Sequence, residues 1–332
     1  MTLFRVKFYL CQKPWIFNVN LYFDKRLISV RIPRHMRTLN SILFGFLGLL
    51  VSAHTLADGD GGFPSLWDSY DVSLQKQLEY TLKDQGLNEA VNNRKLGVTI
   101  VDITDLEEPR VASVNGDNML YAASLPKIAI LMGAFVEIEQ GNMALDDETR
   151  GSLTRMIRNS SNADATRMLN HVGKDRLLEI LQSDLYHMYD PAVNGGLWVG
   201  KEYGRSSAYK RDPLHNLSHG ATPMQAARFY YLLETGQLCN PKLTTEMKAM
   251  LGNPGINHKF VKGLAGFPDA KIYRKSGSWK QWHADSAIVE ARGHKYIVVA
   301  LAEDSKGGSW LSQMIKPIHK FMVPEKLAAN SH

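Results

Sequence analysis

The sequence predicts an α+β fold: an antiparallel sheet built from both chain ends, flanked by helices, with an all-helical subdomain inserted between the strands. Three observations predict it. Strand-like runs stand at 96–114 and again at 272–301, helical periodicity fills most of the space between them, and a last helical run closes the chain at 310–321. Strands near both termini can share one sheet only if the intervening helices leave the sheet and return.

Taken in order, Leu74, Leu78 and Leu82 recur at i, i+4 and i+8 and Gly86 follows, which predicts a surface helix with one buried stripe. Leu96 to Ile103 and Arg110 to Val114 read as two strands that pair across an acidic turn. From Ser124 a long apolar helix is predicted, with Ile128, Leu131, Met132, Phe135 and Ile138 at helical spacing and Gly141 at its end. Further helices are expected at Leu153 to Ile157, Ala163 to Val172, Arg176 to Leu181, Pro223 to Leu233 and Leu243 to Leu251. Strands follow at Ile272 to Lys275, Ser286 to Ala291 and Lys295 to Leu301. The helical subdomain spans about 124–250. Between its helices, Tyr189 to Gly220 is rich in Gly, Pro, Asn and Ser without periodicity, and so long an irregular stretch in a compact domain usually carries function.

The chain of 332 residues carries a formal charge of +6, but residues 1 to 57 hold eight Lys/Arg against Asp24 alone. Without that segment the chain is close to neutral, so no basic face for nucleic acid is expected. Arg34, His35 and Arg37 precede the apolar run Ile42 to Val51, and small residues continue to Ala57. This is the pattern of a secretory signal peptide cleaved after Ala53 or Ala57; a membrane anchor would need about 20 apolar residues. Residues 1–57 are therefore expected to be leader, with 1–35 an extension ahead of Met36, and residues 58–332 a single catalytic domain, periplasmic or secreted. After cleavage only Cys239 would remain of the two cysteines, with no neighbouring His or Asp to activate it.

Serine acyl transfer needs a hydroxyl, a base one helical turn away, a proton path and donors for the oxyanion. Ser124-Leu125-Pro126-Lys127 supplies the first two, because i and i+3 share a helix face. The spacing alone is weak, since Ser73 with Lys76 and Ser207 with Lys210 repeat it. Context separates them: Ser73 opens an ordinary amphipathic helix, Ser207 lies in the irregular segment, and Ser124 opens the most apolar helix directly after the first strands. Ser160-Ser161-Asn162 falls between two helical stretches, where it could face the nucleophile or merely cap a helix. Lys275-Ser276-Gly277 at a strand end offers a cation, a hydroxyl, and a glycine that would let substrate lie against the strand.

In this order and context, the three elements resemble the S-x-x-K, S-D-N and K-T-G motifs of class A β-lactamases and penicillin-binding proteins. The resemblance covers about Leu74 to Phe321. It implies Ser124 as acylated nucleophile, Lys127 as base, Ser160 as proton shuttle, Asn162 as a substrate-amide contact, and Lys275 with Ser276 as the carboxylate anchor, Gly277 and Ser278 completing the substrate-binding strand end. The backbone N–H groups of Ser124 and Ser278 would form the oxyanion hole. Tyr189-Asp190-Pro191-Ala192-Val193-Asn194 is similar to the W-E-P-x-x-N loop, with Asp190 in place of the water-activating glutamate, one methylene shorter, and Asn194 at its asparagine. A plain Asp-Pro turn is the alternative.

Two departures stand out. Ser160 follows Ser124 by only 36 residues, and no arginine appears some ten residues after Lys275, where a second carboxylate contact is often found. The implied activity is opening of β-lactam rings through an acyl-enzyme, with a D-Ala-D-Ala carboxypeptidase or a penicillin-binding sensor as alternatives. A small β-lactam or a peptidoglycan stem peptide would be the substrate, of a monomer with no cofactor, no metal and no membrane span once the signal is removed. His215 and His219 at i, i+4 lack an evident third metal ligand.

Overall fold

The computed structural model describes residues 16–23, 26–33 and 62–324, and the chain divides into two compact units, Met1–Gly62 and Phe63–His332. In the first, strands β1 (Ile16–Phe23) and β2 (Arg26–Pro33) pair antiparallel in register from Ile16 opposite Pro33 to Phe23 opposite Arg26. This stretch lies within the expected leader extension, and the alternating Phe17, Val19, Leu21 and Ile28, Val30, Ile32 give it a strand's period of two. The apolar run 42–51 and the expected cleavage sites lie outside the described residues.

The second unit holds the predicted sheet. Helices α1 (Val72–Asp84) and α2 (Asn88–Asn92) precede strands β3 (Leu96–Asp102), β4 (Arg110–Val114) and the two-residue β5 (Leu120–Tyr121). Helices α3 (Lys127–Glu139), α4 (Asp147–Arg158), α5 (Asn162–Val172) and α6 (Lys174–Gln182) follow. The irregular segment contains a 3-10 turn at Pro191–Val193 and the short strands β6 (Tyr189–Asp190), β7 (Gly195–Gly196), β8 (Trp198–Val199) and β9 (His219–Ala221). Helices α7 (Pro223–Glu234), α8 (Pro241–Leu251) and α9 (Phe260–Leu264) lead back to strands β10 (Lys271–Trp279), β11 (Trp282–Ala291) and β12 (His294–Glu303), and helix α10 (Gly307–Met322) completes the fold.

The main sheet runs β10-β11-β12-β3-β4, antiparallel throughout, so strands from both chain ends meet at the β12–β3 pair as predicted. Its two faces bury different cores. On one, Leu96, Val98 and Ile100 pack with Leu74, Leu78 and Leu82 of α1 and with Leu311, Met314, Ile315 and Ile318 of α10. On the other, Val101, Ile288, Ile297 and Val299 meet the helical subdomain.

Helix α3 is apolar all round because it runs through the middle of that subdomain, every residue from Lys127 to Glu137 being buried. Its start differs from expectation. Ser124 stands in the turn before the helix, held by three tight bonds, Lys127 N to Ser124 O (3.3 Å), Ile128 N to Leu125 O (3.1 Å) and Ala129 N to Pro126 O (2.9 Å). Ala123 just before it is left-handed at φ 51°. Pro126 imposes a fixed φ there, and the regular ladder begins only after it. Helix α5 starts as its sequence suggests, with Ser161 Oγ accepting from Asp164 N at 3.2 Å.

Candidate active site

Three elements converge on one point: the turn at Ser124, the α4–α5 junction and strand β10. Position 277 shows how closely they approach. A Cβ there would lie 2.0 Å from Ala122 O and 2.8 Å from both Ser124 N and Leu125 N. Only glycine lets the strand pack against the turn. Gly277 therefore makes room for the backbone of the Ser124 turn, a steric reason for glycine that its sequence context did not show. The same approach brings the Ser124 amide beside the Gly277–Ser278 backbone, where two N–H groups could share one oxyanion.

Lys127 is 0% exposed. Its Nζ donates to Ser160 O (2.6 Å), Asn162 Oδ1 (2.8 Å), Ser160 Oγ (3.3 Å) and Ser161 O (3.3 Å), and sits 4.5 Å over the ring of Tyr203. Desolvation is the leading influence and brings its pKa down to about 7, against an upward pull from Asp164. Asp164 is itself held at about 2, chiefly by Arg155, which donates to it at 2.7 and 3.1 Å.

Ser160, at a left-handed φ of 56°, turns its hydroxyl between two lysines. Lys275, 1% exposed, donates from Nζ to Ser160 Oγ at 3.0 Å and to Ser276 O at 2.7 Å. Burial first, and then the nearby Lys127 and Arg274, push its ammonium well below the usual lysine range. Ser124, Lys127, Ser160, Asn162, Lys275, Ser276, Gly277 and Ser278 thus belong to one cluster. Ser161 serves as the cap, so the helix-capping reading of that triplet and its placement beside Lys127 hold together.

The loop residues behave otherwise. Asp190 Oδ1 accepts from Ala192 N at 2.8 Å and caps the short 3-10 turn at Pro191–Val193. Among the described residues no hydrogen bond joins it to Ser124, Lys127 or Ser160. Asn194, left-handed at φ 64°, donates from Nδ2 to Asp117 O at 2.8 Å, and its carbonyl lies 3.2 Å from His215 Nε2. Its amide is directed to Asp117 and not into the serine–lysine cluster. His219 is buried in β9 with Nε2 on Lys201 O at 3.0 Å, and among the described residues no His, Cys, Asp and Glu group could hold a metal. Cys239 is buried, its thiol raised by desolvation.

Three residues near the cluster carried no sequence signal. Tyr203 faces Lys127, stacks on His219 with centroids 4.3 Å apart, and reaches Ala123 O at 3.5 Å; the only hint was its place in the long irregular segment. His258 and Lys259 arrive from the loop before α9, with His258 Nε2 3.0 Å from Ser276 Oγ and Lys259 Nζ 2.8 Å from Ser278 Oγ. Nothing in local spacing relates them to a motif some sixteen residues later.

Residues 77–152 and 150–318 match the model of the Beta-lactamase enzyme family. No curated protein matches the sequence. Among solved structures, the fold is similar to the beta-lactamase from Sphaerobacter thermophilus DSM 20745 (16% identity, 76% of this chain and 98% of that one, TM-score 0.59). It is similar also to a mutant of PBP-A in an acyl-enzyme complex with penicillin-G (15% identity, 76% and 97%, TM-score 0.57) and to an ancestral Gram-negative class A beta-lactamase (18% identity, 75% and 99%, TM-score 0.57).

Proposed function

The chain belongs to the beta-lactamase enzyme family, and from that premise we propose that it opens β-lactam rings through an acyl-enzyme on Ser124. The observation that carries the reading is the serine held between two buried lysines: Ser160 Oγ lies 3.3 Å from Lys127 Nζ and 3.0 Å from Lys275 Nζ, beside the turn that bears Ser124.

Neutral Lys127 takes the Ser124 proton as the hydroxyl attacks the lactam carbonyl, and desolvation makes that neutral form accessible near pH 7. The N–H groups of Ser124 and Ser278 receive the oxyanion. The proton then returns through Ser160 to the ring nitrogen as the C–N bond breaks. Asn162 holds the substrate amide, while Lys275, Ser276 and Ser278 hold its carboxylate. Water, activated by Asp190, hydrolyses the ester.

A second reading, slow deacylation of the kind a D-Ala-D-Ala peptidase or a penicillin-binding sensor would show, draws on one observation: the Asp190 carboxylate is engaged with the Ala192 N–H, and Asn194 with Asp117. We place the protein in the periplasm or outside the cell, its leader removed, acting alone on a small β-lactam or a peptidoglycan stem peptide. The test is hydrolysis of a chromogenic cephalosporin by the purified protein and by its Ser124→Ala variant. Turnover confined to the wild type supports β-lactam hydrolysis through Ser124, turnover by both removes Ser124 as the nucleophile, and no turnover by the wild type supports the second reading if a lasting adduct forms on Ser124 and removes both readings if none does.

A further inference from the structure

The four acceptors around the buried Lys127 amine, Ser160 O, Ser160 Oγ, Ser161 O and Asn162 Oδ1, all come from the α4–α5 junction. Among the described residues no carboxylate is bonded to Nζ. The group that meets it from another element is the ring of Tyr203, whose centroid lies 4.5 Å away. Tyr203 is itself only half-buried, so its ring stands between the amine and solvent.

The irregular segment holds that ring from three directions. Thr166 Oγ1 accepts from Tyr203 N and donates to Tyr203 O, both at 3.1 Å. Thr166 follows Asn162 by one turn of α5, so one helix face carries both a Lys127 acceptor and the clamp on Tyr203. The ring of His219, in β9, lies 4.3 Å from that of Tyr203, and its Nε2 donates to Lys201 O at 3.0 Å. His219 O also accepts from Ala122 N at 3.0 Å, which ties this clamp to the turn bearing Ser124. The Tyr203 hydroxyl reaches Ala123 O of the same turn at 3.5 Å.

An aromatic face acts on a lysine amine in two opposed ways: its quadrupole attracts the ammonium, and its bulk removes the water that would solvate the charge. At Lys127 desolvation is the leading influence, so the exclusion of water wins. We propose that Tyr203 is the positioning residue of Lys127: held by Thr166 and His219, its ring shuts the amine off from solvent and keeps the nitrogen lone pair free for the Ser124 proton. This rests on the reading of Ser124 as nucleophile and Lys127 as its base.

The titratable groups that face Lys127 are Asp164 on α5, Lys275 on β10, His219 on β9 and Tyr203 itself. The Arg155 pair holds Asp164 at about 2 and burial holds His219 at about 4, so each keeps one charge state above pH 6. Burial pushes the Tyr203 phenol well above its usual range, and Lys275 is common to every variant below.

The experiment follows adduct formation with benzylpenicillin from pH 6 to pH 9 on the wild type, Tyr203→Phe, Tyr203→Ala and Tyr203→Gln. Tyr203→Phe keeps the ring and should keep the midpoint, with rates within about threefold of the wild type. Tyr203→Ala admits water to Nζ and should raise the midpoint by about one pH unit, so that acylation is about tenfold slower at pH 6 and within about twofold of the wild type at pH 9. Tyr203→Gln sets a carbonyl acceptor beside the amine and should raise the midpoint likewise; should Tyr203→Ala not fold, Tyr203→Gln alone decides. A midpoint that stays or falls, a loss equal at every pH, or a Tyr203→Phe variant that behaves as Tyr203→Ala overturns the proposal. A wild type that forms no adduct on Ser124 overturns the Ser124 reading and the proposal with it, an outcome distinct from an acylating wild type whose midpoint the variants leave in place.

Discussion

Replacing Gly277 with alanine places a methyl group 2.0 Å from Ala122 O and 2.8 Å from Ser124 N and Leu125 N. All three atoms are backbone, so no side chain can swing aside. Ordinary contact begins near 3.4 Å, and strand and turn must therefore separate by about 1.4 Å at the tightest point. That movement carries the Ser124 turn away from strand β10, whose Lys275 reaches the Ser160 hydroxyl at 3.0 Å. Misplacement of about 1 Å costs on the order of a hundredfold in rate, and overpacking costs about 1–3 kcal/mol of stability. Gly277→Ala should thus acylate about a hundredfold more slowly with a chromogenic β-lactam in stopped flow, while melting cooperatively a few degrees lower. Acylation within about threefold of the wild type would refute the argument that the strand–turn approach sets the site.

Acylation should rise about tenfold between pH 6 and pH 8, because Lys127 titrates at about 7 and only its neutral amine accepts the serine proton. Asp164→Asn removes the anion that holds this value up and should move the midpoint lower; a profile flat from pH 5.5 to 8.5 contradicts both. Arg274 holds the fully buried Asp285 at 2.8 and 2.9 Å, so Arg274→Met leaves that carboxylate without its partner and should cost about 3–5 kcal/mol in urea unfolding, with a loss below about 1 kcal/mol counting against the pair's importance. Asp190→Asn should slow decay of the adduct while leaving its formation unchanged, and an unchanged decay rate would make Asp190 a turn former alone.

The sheet and most helices were legible because their signals are local: the Leu74, Leu78, Leu82 stripe reports one buried face, and the unbroken apolar runs of β3 and β12 report strands buried on both. Strands β5 to β9 were not, since two or three residues carry no period and depend on partners distant in sequence. Within the site, Ser124 and Lys127 could be read because their chemistry needs a fixed spacing. The left-handed turn at Ala123 could not, as nothing in an alanine announces a positive φ that the surrounding packing imposes. Gly277 was legible as a necessary glycine, but its reason lies in the Ala122 carbonyl more than 150 residues earlier. Asn194 fitted a loop pattern, yet its amide found Asp117, a partner no spacing rule could supply. Lys259 was invisible for the same cause: its contacts with Gly277 O and Ser278 Oγ exist only once β10 and the loop before α9 are side by side.

Peptide mapping by mass spectrometry after brief exposure to benzylpenicillin tests the central claim most directly. The account predicts one penicilloyl group, on the peptide containing Ser124, absent from Ser124→Ala and formed much more slowly in Lys127→Met. Acylation at any other serine, Ser73 and Ser207 included, or an adduct that persists in Ser124→Ala, would contradict it.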